Sequence, residues 1–405
     1  MRNDLGGGMA GTAGANGIAG AREAVTAVSE TIAGGAGYQA YYDGFWSTAS
    51  RLAAQADADL AAGQLASARA AYLGAASYYD LCLYFVLGTR ARAHEAGVYA
   101  VMQRCWNRAS RLLDPPGERV HIPYGSTWLP GYLLRPPGPP ARRPTVILNN
   151  GSDGQNVDLF AFGGAAALDR GWNALIFEGP GQGSLLFERK ISFRPDWEQV
   201  ITPVVDWLTA RPDVDLRRIA LTGWGMCGAS VIRAAAFERR LAAVVADPGV
   251  TDAWLAFPPV LRGLFAGGAP RAEVNGAWNN VIVPALTASQ RCTLAKRSEP
   301  FGLPYLAAAR AGQVFTDLHA LGAAIMAVSC DQVAGLVTAP VLVTAYQEEM
   351  FYPGQAEQLY GLLPPWLLKG LHTFTAAEGA QVRDAPAAPQ TRNQVVFDWL
   401  DATLG

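Results

Sequence analysis

The stretch "LTGWGMCGAS", residues 221–230, follows an apolar run and precedes the alanine-rich "VIRAAAFERRLAAVV". It reads as a strand turning sharply into a helix, the setting of a nucleophile elbow, whose G-x-S-x-G pattern lifts a serine hydroxyl above a parallel sheet. Here the central place is Gly225, which has no side chain and so no nucleophile. A one-residue slip reads the stretch as G-M-C-G-A and offers the Cys227 thiol instead, which would need a base beside it. The histidines are His94, His121, His319 and His372, none of them where such a base is expected, and each reads as structural.

The elements that must position this turn follow from composition and pattern. The chain has 405 residues, half of them hydrophobic, with a formal net charge of −2. That size buries a large core, and the near-neutral balance argues against a nucleic-acid footprint. No apolar run approaches the roughly 18–20 uncharged residues of a membrane span, and the start lacks a signal-peptide core, so a cytoplasmic protein is expected. The five cysteines are scattered, without a CxxC pair or zinc spacing, and read as buried thiols. "EGPGQG" lacks the spacing of a phosphate loop, and no nucleotide, metal or other cofactor is expected.

Along the chain, residues 1–25 are rich in glycine and alanine and read as a flexible tail. Residues 26–117 carry apolar positions at three- and four-residue intervals, the mark of packed helices. At "LDPPGERVHIPYG" the composition turns. Short runs rich in β-branched residues follow: "RVHIPYG", "LPGYLLRP", "PTVILNNG", "NALIFEGPGQG", "RIALTGWG", "AAVVADPG", "APVLVTAY" and "LHTFTAAEG". From Pro144 on they alternate with helix-length stretches such as "DWEQVITPVVDWLTARP" and "QAEQLYGLL". This predicts an α/β fold over 118–405 with a mostly parallel sheet covered on both faces. Residues of about 253–335 lack a strong strand and read as a small helical cap over the carboxyl edge of the sheet, where ligands of such folds bind.

The ordered series "NNGSDG", "EGPGQG", "RPDWEQVITPVVDWL", "RIALTGWGMCG", "PGQAEQLY" and "EGA...VFDWLD" resembles the α/β-hydrolases that carry an N-terminal helical domain. It is most similar to the fermentation-respiration-switch-like esterases and to the carbon-carbon bond hydrolases typified by 2,6-dihydroxypseudooxynicotine hydrolase. The resemblance implies a serine, an acid and a histidine acting in relay. It places them on Gly225, Glu349 and Arg383. An arginine stays protonated at any working pH and cannot act as a general base. It also implies an oxyanion pocket from the Gly151–Ser152–Asp153 loop and the helix start at Met226, with Trp224, Cys227 and Asp247 close by.

Glu349, Arg383 and Asp153 are therefore the candidate catalytic groups. The favoured function is a non-hydrolytic enzyme that keeps the pocket and guides cyclisation, isomerisation or elimination of an apolar small molecule, such as a natural-product intermediate. The alternatives are a residual hydrolase using Cys227 or an activated water, and a non-catalytic ligand-binding pseudoenzyme. The expected partner is a small-molecule substrate, with no nucleic acid and no membrane. The resemblance further implies a homodimer.

Overall fold

The computed structural model describes residues 37–385 and 388–405. The expected tail over 1–25 and the first part of the helical segment lie outside the described residues. The described chain opens with three long helices, α1 (Tyr38–Ala61), α2 (Leu65–Phe85) and α3 (Glu95–Arg111). Helix α2 is the central one. From Leu73 to Leu83 every residue is buried, because α2 is covered all round rather than along one stripe. With the next turn, Leu65–Gly88 is the one described helix long and apolar enough to cross a bilayer. The protein interior itself accounts for that character, since 83% of its most apolar window is buried.

Eight strands then form one sheet: β1 (Glu118–Tyr124), β2 (Thr127–Leu134), β3 (Arg143–Asn149), β4 (Asn173–Phe177), β5 (Val214–Trp224), β6 (Ala243–Asp247), β7 (Val341–Tyr346) and β8 (Lys369–Phe374). Their order is β1-β2-β4-β3-β5-β6-β7-β8. The first two strands pair antiparallel with their neighbours, and from β4 through β3 to β8 the pairing is parallel. All eight coincide with the β-rich runs read from the sequence. Strands β4, β6 and β7 are buried at every residue, as parallel strands covered on both faces must be.

Between and after the strands lie α4 (Glu198–Thr209), α5 (Cys227–Phe237), α6 (Ala288–Ser298), α7 (Gln355–Leu362) and α8 (Pro389–Leu404). Helix α6 belongs to a run of short helices that fills the chain between β6 and β7, from Ala253–Ala256 to Ala334–Leu336. A capping box starts it: the Thr287 hydroxyl accepts from Gln290 N, and the Gln290 side chain accepts from Thr287 N. Two cores flank the sheet. On one side α4, α5 and this inserted segment pack through Val204, Val231 and Trp278. On the other, α1 to α3 and α8 pack through Tyr72, Tyr78, Trp106 and Phe397 against Val146 and Ile176. The N-terminal helices thus share a core with the sheet.

Candidate functional site

Strand β5 ends at Trp224 and α5 begins at Cys227, so the chain reverses within two residues. Gly225 makes this possible with φ +63°, in the left-handed region that strains any residue with a Cβ. Its N–H donates to the Asp247 carbonyl at 2.8 Å, and its own carbonyl accepts from Gly228 N at 3.0 Å. A Cβ on Gly228 would stand 2.1 Å from the Pro248 carbonyl oxygen, so the glycine spacing of "GWGMCG" is set by close backbone approach. The strand, sharp turn and helix of an elbow are all present, with glycine at the turn.

The space in front of it is taken by Arg383. A Cβ built on Gly225 would meet Arg383 Nη2 at 2.8 Å. The guanidinium packs over Phe351, 5.0 Å from the ring centroid. It forms ion pairs with Glu349 (Nε to Oε2, 3.7 Å) and Asp384 (Nη1 to Oδ2, 3.8 Å), while its buried Nε finds no hydrogen-bond acceptor. Burial works against its charge, but Asp384 and Glu349 outweigh burial and hold it protonated. Glu349 stands behind it. Its Oε1 accepts from the backbone N–H of Phe351 at 2.8 Å and of Tyr352 at 3.2 Å, which ties the carboxylate into its own turn. Glu349 is not part of the cleft wall.

The cleft holds about 650 Å³ including its open mouth. Three parts of the chain build it: the loop 151–154 and the elbow from the sheet, Tyr84 from α2, and Arg297 from α6. Phe351, Tyr352, Arg383 and Asp384 close the far side. Burial pushes the Asp384 carboxyl up to about 6, with Arg383 pulling the other way and the Trp224 indole N–H facing it. Among the described residues its Oδ1 has no hydrogen-bond partner, and its backbone is held at φ +66°. Sequence reasoning missed Asp384, although its place directly after the candidate Arg383 was the available signal. It also missed Tyr84 and Arg297, for which the sequence carries none.

Of the expected site residues, Gly151, Ser152, Asp153, Trp224, Gly225, Met226 and Arg383 converge on the cleft. Cys227 and Asp247 do not. Cys227 is fully buried and its thiol is pushed up to about 12 by that burial, so it is neither exposed nor ionised as a nucleophile must be. Its side chain turns into the core because the first turn of α5 packs on the sheet. Asp247 is fully buried as well. Its carboxylate accepts from Thr344 Oγ1 and from Tyr346 OH at 2.7 Å, and it pairs with Arg392 of α8. That is an anchor of α8 on β6, not a pocket group.

The loop 150–154 is held from below. Gln182 Nε2 donates to the carbonyls of Asn150 and Gly151, both at 2.8 Å, and Gln182 Oε1 accepts from Gly179 N. Glu178 of the same "EGPGQG" turn accepts from Tyr99 OH of α3 at 2.7 Å and from Asn156 Nδ2 at 2.8 Å. The turn is therefore a structural brace. The Gly151 N–H is already committed to Asn150 Oδ1 at 2.8 Å. Met226 caps α5, so its N–H belongs to the first-turn donors that have no acceptor within the helix.

The histidines lie elsewhere. His94 precedes α3, His121 packs on Trp128, His319 stacks on Phe265, and His372 Nε2 stands 3.3 Å from Glu378 Oε1. Among the described residues, no three His, Cys, Asp or Glu side chains gather as metal ligands.

This strand order, with an elbow after β5 and helices on both faces, defines the α/β-hydrolase fold. Residues 23–259 match the model of the FrsA-like esterase family, described as "Esterase FrsA-like", and the chain belongs to that family. Hydrolase acrC of Aspergillus aculeatus is 33% identical over 230 residues, covering 52% of this chain and 53% of that one. Hydrolyase poxO of Penicillium oxalicum is 33% identical over 262 residues, covering 61% and 62%. The chain thus spans between about half and three fifths of the length of these curated relatives. Among solved structures, 2,6-dihydroxy-pseudo-oxynicotine hydrolase superposes with a TM-score of 0.65 at 22% identity, over 90% of this chain and 88% of that one.

Proposed function

We propose that the protein is an enzyme that uses an α/β-hydrolase cleft without forming an acyl-enzyme. It binds an apolar small molecule of the natural-product kind and guides a cyclisation, isomerisation or elimination through an oxyanion. The observation that carries this reading is the Arg383 guanidinium, with Nη2 2.8 Å from where a side chain on Gly225 would begin. A permanent cation at that place cannot take a proton, but it stabilises negative charge on an oxygen brought to the elbow. The Met226 N–H at the positive end of α5 adds to it.

Proton transfer then falls to a carboxyl on the cleft wall. Asp384, held up at about 6 by burial, is poised for it. In its ionised form it takes a proton from carbon next to a carbonyl, and the resulting enolate oxygen lies against Arg383. Asp384 then gives the proton back to carbon in an isomerisation, to the oxygen formed when a ring closes, or to the departing group in an elimination. Asp153, which also lines the cleft, is the second candidate. Glu349 serves in this reading to position Arg383.

The hydrolase reading keeps one supporting observation, since the relatives include a protein named a hydrolase and Asp384 could activate a water. Cys227 drops out of it on burial. Turnover in water enriched in oxygen-18 separates the two readings: the proposed reaction leaves no solvent oxygen in the product of a rearrangement. Active-site labelling adds a second check. A fluorophosphonate should label no residue and p-nitrophenyl esters should give no burst, whereas stoichiometric labelling overturns the proposal. The rate should fall as pH drops through about 6 and protonates Asp384, and Asp384→Asn should lose at least ~100-fold in turnover while still folding.

A further inference from the structure

Arg297 of α6 reaches the cleft with its guanidinium 4.0 Å from the centroid of Phe351. Among the described residues it has no hydrogen-bond acceptor and no carboxylate within ion-pair distance. Arg383 packs over the same ring at 5.0 Å. The two guanidinium carbons are therefore at most about 9 Å apart, the sum of those ring distances. Like charges held this close repel, and each guanidinium offers five N–H donors in a rigid fork. Arg383 is balanced by Glu349 and Asp384 at 3.7 and 3.8 Å, neither contact being a hydrogen bond, and Arg297 is not balanced at all. Asp153 lies on the same wall, but its carboxylate has only the Ser152 hydroxyl, at 3.4 Å, and forms no ion pair with either arginine.

The cleft continues past Tyr84, Asp153 and Arg297 into a second groove of about 480 Å³ including its open mouth. Tyr38 of α1 and Tyr84 and Phe85 of α2 give it an aromatic wall beside residues of α6 that include Lys296 and Arg297, and it lies between the N-terminal helices and the inserted segment. Cationic forks at one end and an apolar trough at the other specify a ligand with two unlike ends.

We infer that the substrate carries a planar head group with two anionic oxygens, a carboxylate or the enolate of a 1,3-dicarbonyl, clasped between Arg297 and Arg383, and an apolar tail lying along Tyr84 and Phe85. The inference rests on the proposed reading insofar as this cleft is where substrate binds. It is independent of whether the reaction is hydrolytic. Guanidinium forks match such a head group in shape as well as charge, since both oxygens are received at once. Arg297 is the specificity-determining residue, because Arg383 is already partly neutralised by its own neighbours.

Calorimetric titration of the full chain with decanoate, with 2-octanoylcyclohexane-1,3-dione and with 1-decanol tests this. At least one anion should bind tenfold or more tighter than the neutral alcohol of similar length, and the tighter of the two names the head group. Arg297→Met should weaken that anion ~10- to 100-fold and leave decanol unchanged, with Arg297→Lys between them. Equal binding of decanol and both anions, or anion binding indifferent to Arg297→Met, overturns the inference. The labelling and oxygen-18 experiments report on the hydrolytic question separately, so failure of one reading does not masquerade as failure of the other.

Discussion

At Gly225 backbone and side-chain physics meet. The left-handed φ of +63° is what lets β5 turn into α5 within two residues, and Arg383 then fills the volume a side chain would need. Two separate penalties therefore oppose any larger residue there. Gly225→Ala should cost ~1–2 kcal/mol from backbone strain, plus the displacement of a buried guanidinium. In an Arg383→Ala background only the strain should remain. A double-mutant cycle in urea isolates the difference, and a coupling energy near zero would mean that the two residues do not share the space.

At the scale of elements, α2 meets the short helix Asn156–Leu159 through two carboxyl groups. Asp80 is fully buried and neither of its oxygens finds a donor, while Asp158 Oδ2 accepts from Gln155 N. Burial raises both, Asp158 to about 7 and Asp80 well above the usual carboxylate range; Asp158 raises Asp80 further, while Asp80 pulls Asp158 the other way. Lys296 and Asp153 face the pair with opposite effects, and Tyr84 one turn along α2 feels both carboxylates. The native state thus binds protons more tightly than the unfolded chain. Their stabilisation is complete below about 4, the unfolded carboxylate value, and is lost as pH rises through about 7. Melting temperature should decline between pH 5 and pH 8.5, and Asp80→Asn should flatten that decline because one proton is then permanent. A wild-type profile that is flat across this range would refute the raised carboxyls.

Across the whole molecule, the N-terminal helices and the inserted segment are clamped over the cleft by buried charge. Lys296 Nζ of α6 pairs with Glu299 at 2.7 Å and with Glu95 of α3 at 3.4 Å, and Arg310 Nε reaches the same Glu95 at 2.9 Å. Glu95 is fully buried, so removing a cation from this network leaves carboxylates without compensation. Lys296→Met should cost ~3–5 kcal/mol in chemical denaturation, far more than loss of an exposed pair. Because Lys296 and Arg297 are neighbours on α6, this clamp also fixes where the cleft cation stands. A loss under 1 kcal/mol would show that the clamp is not what holds these parts together.

The sequence by itself determined the eight strand runs, the strand-to-helix turn at 221–230 and the presence of glycine, glutamate and arginine at Gly225, Glu349 and Arg383. These follow from local patterning: runs of β-branched residues, glycine at a turn that tolerates no Cβ, and motifs in a fixed chain order. Only the tertiary structure decided which way each side chain faces. Cys227 and Asp247 sit at the right places along the chain yet point into the core, whereas Asp384 is turned into the cleft by a left-handed backbone next to Arg383. Tyr84 and Arg297 reach the elbow from segments 141 residues before and 72 residues after Gly225. No periodicity encodes such a meeting, because it depends on how α2 and α6 pack over the sheet rather than on any pattern within either helix.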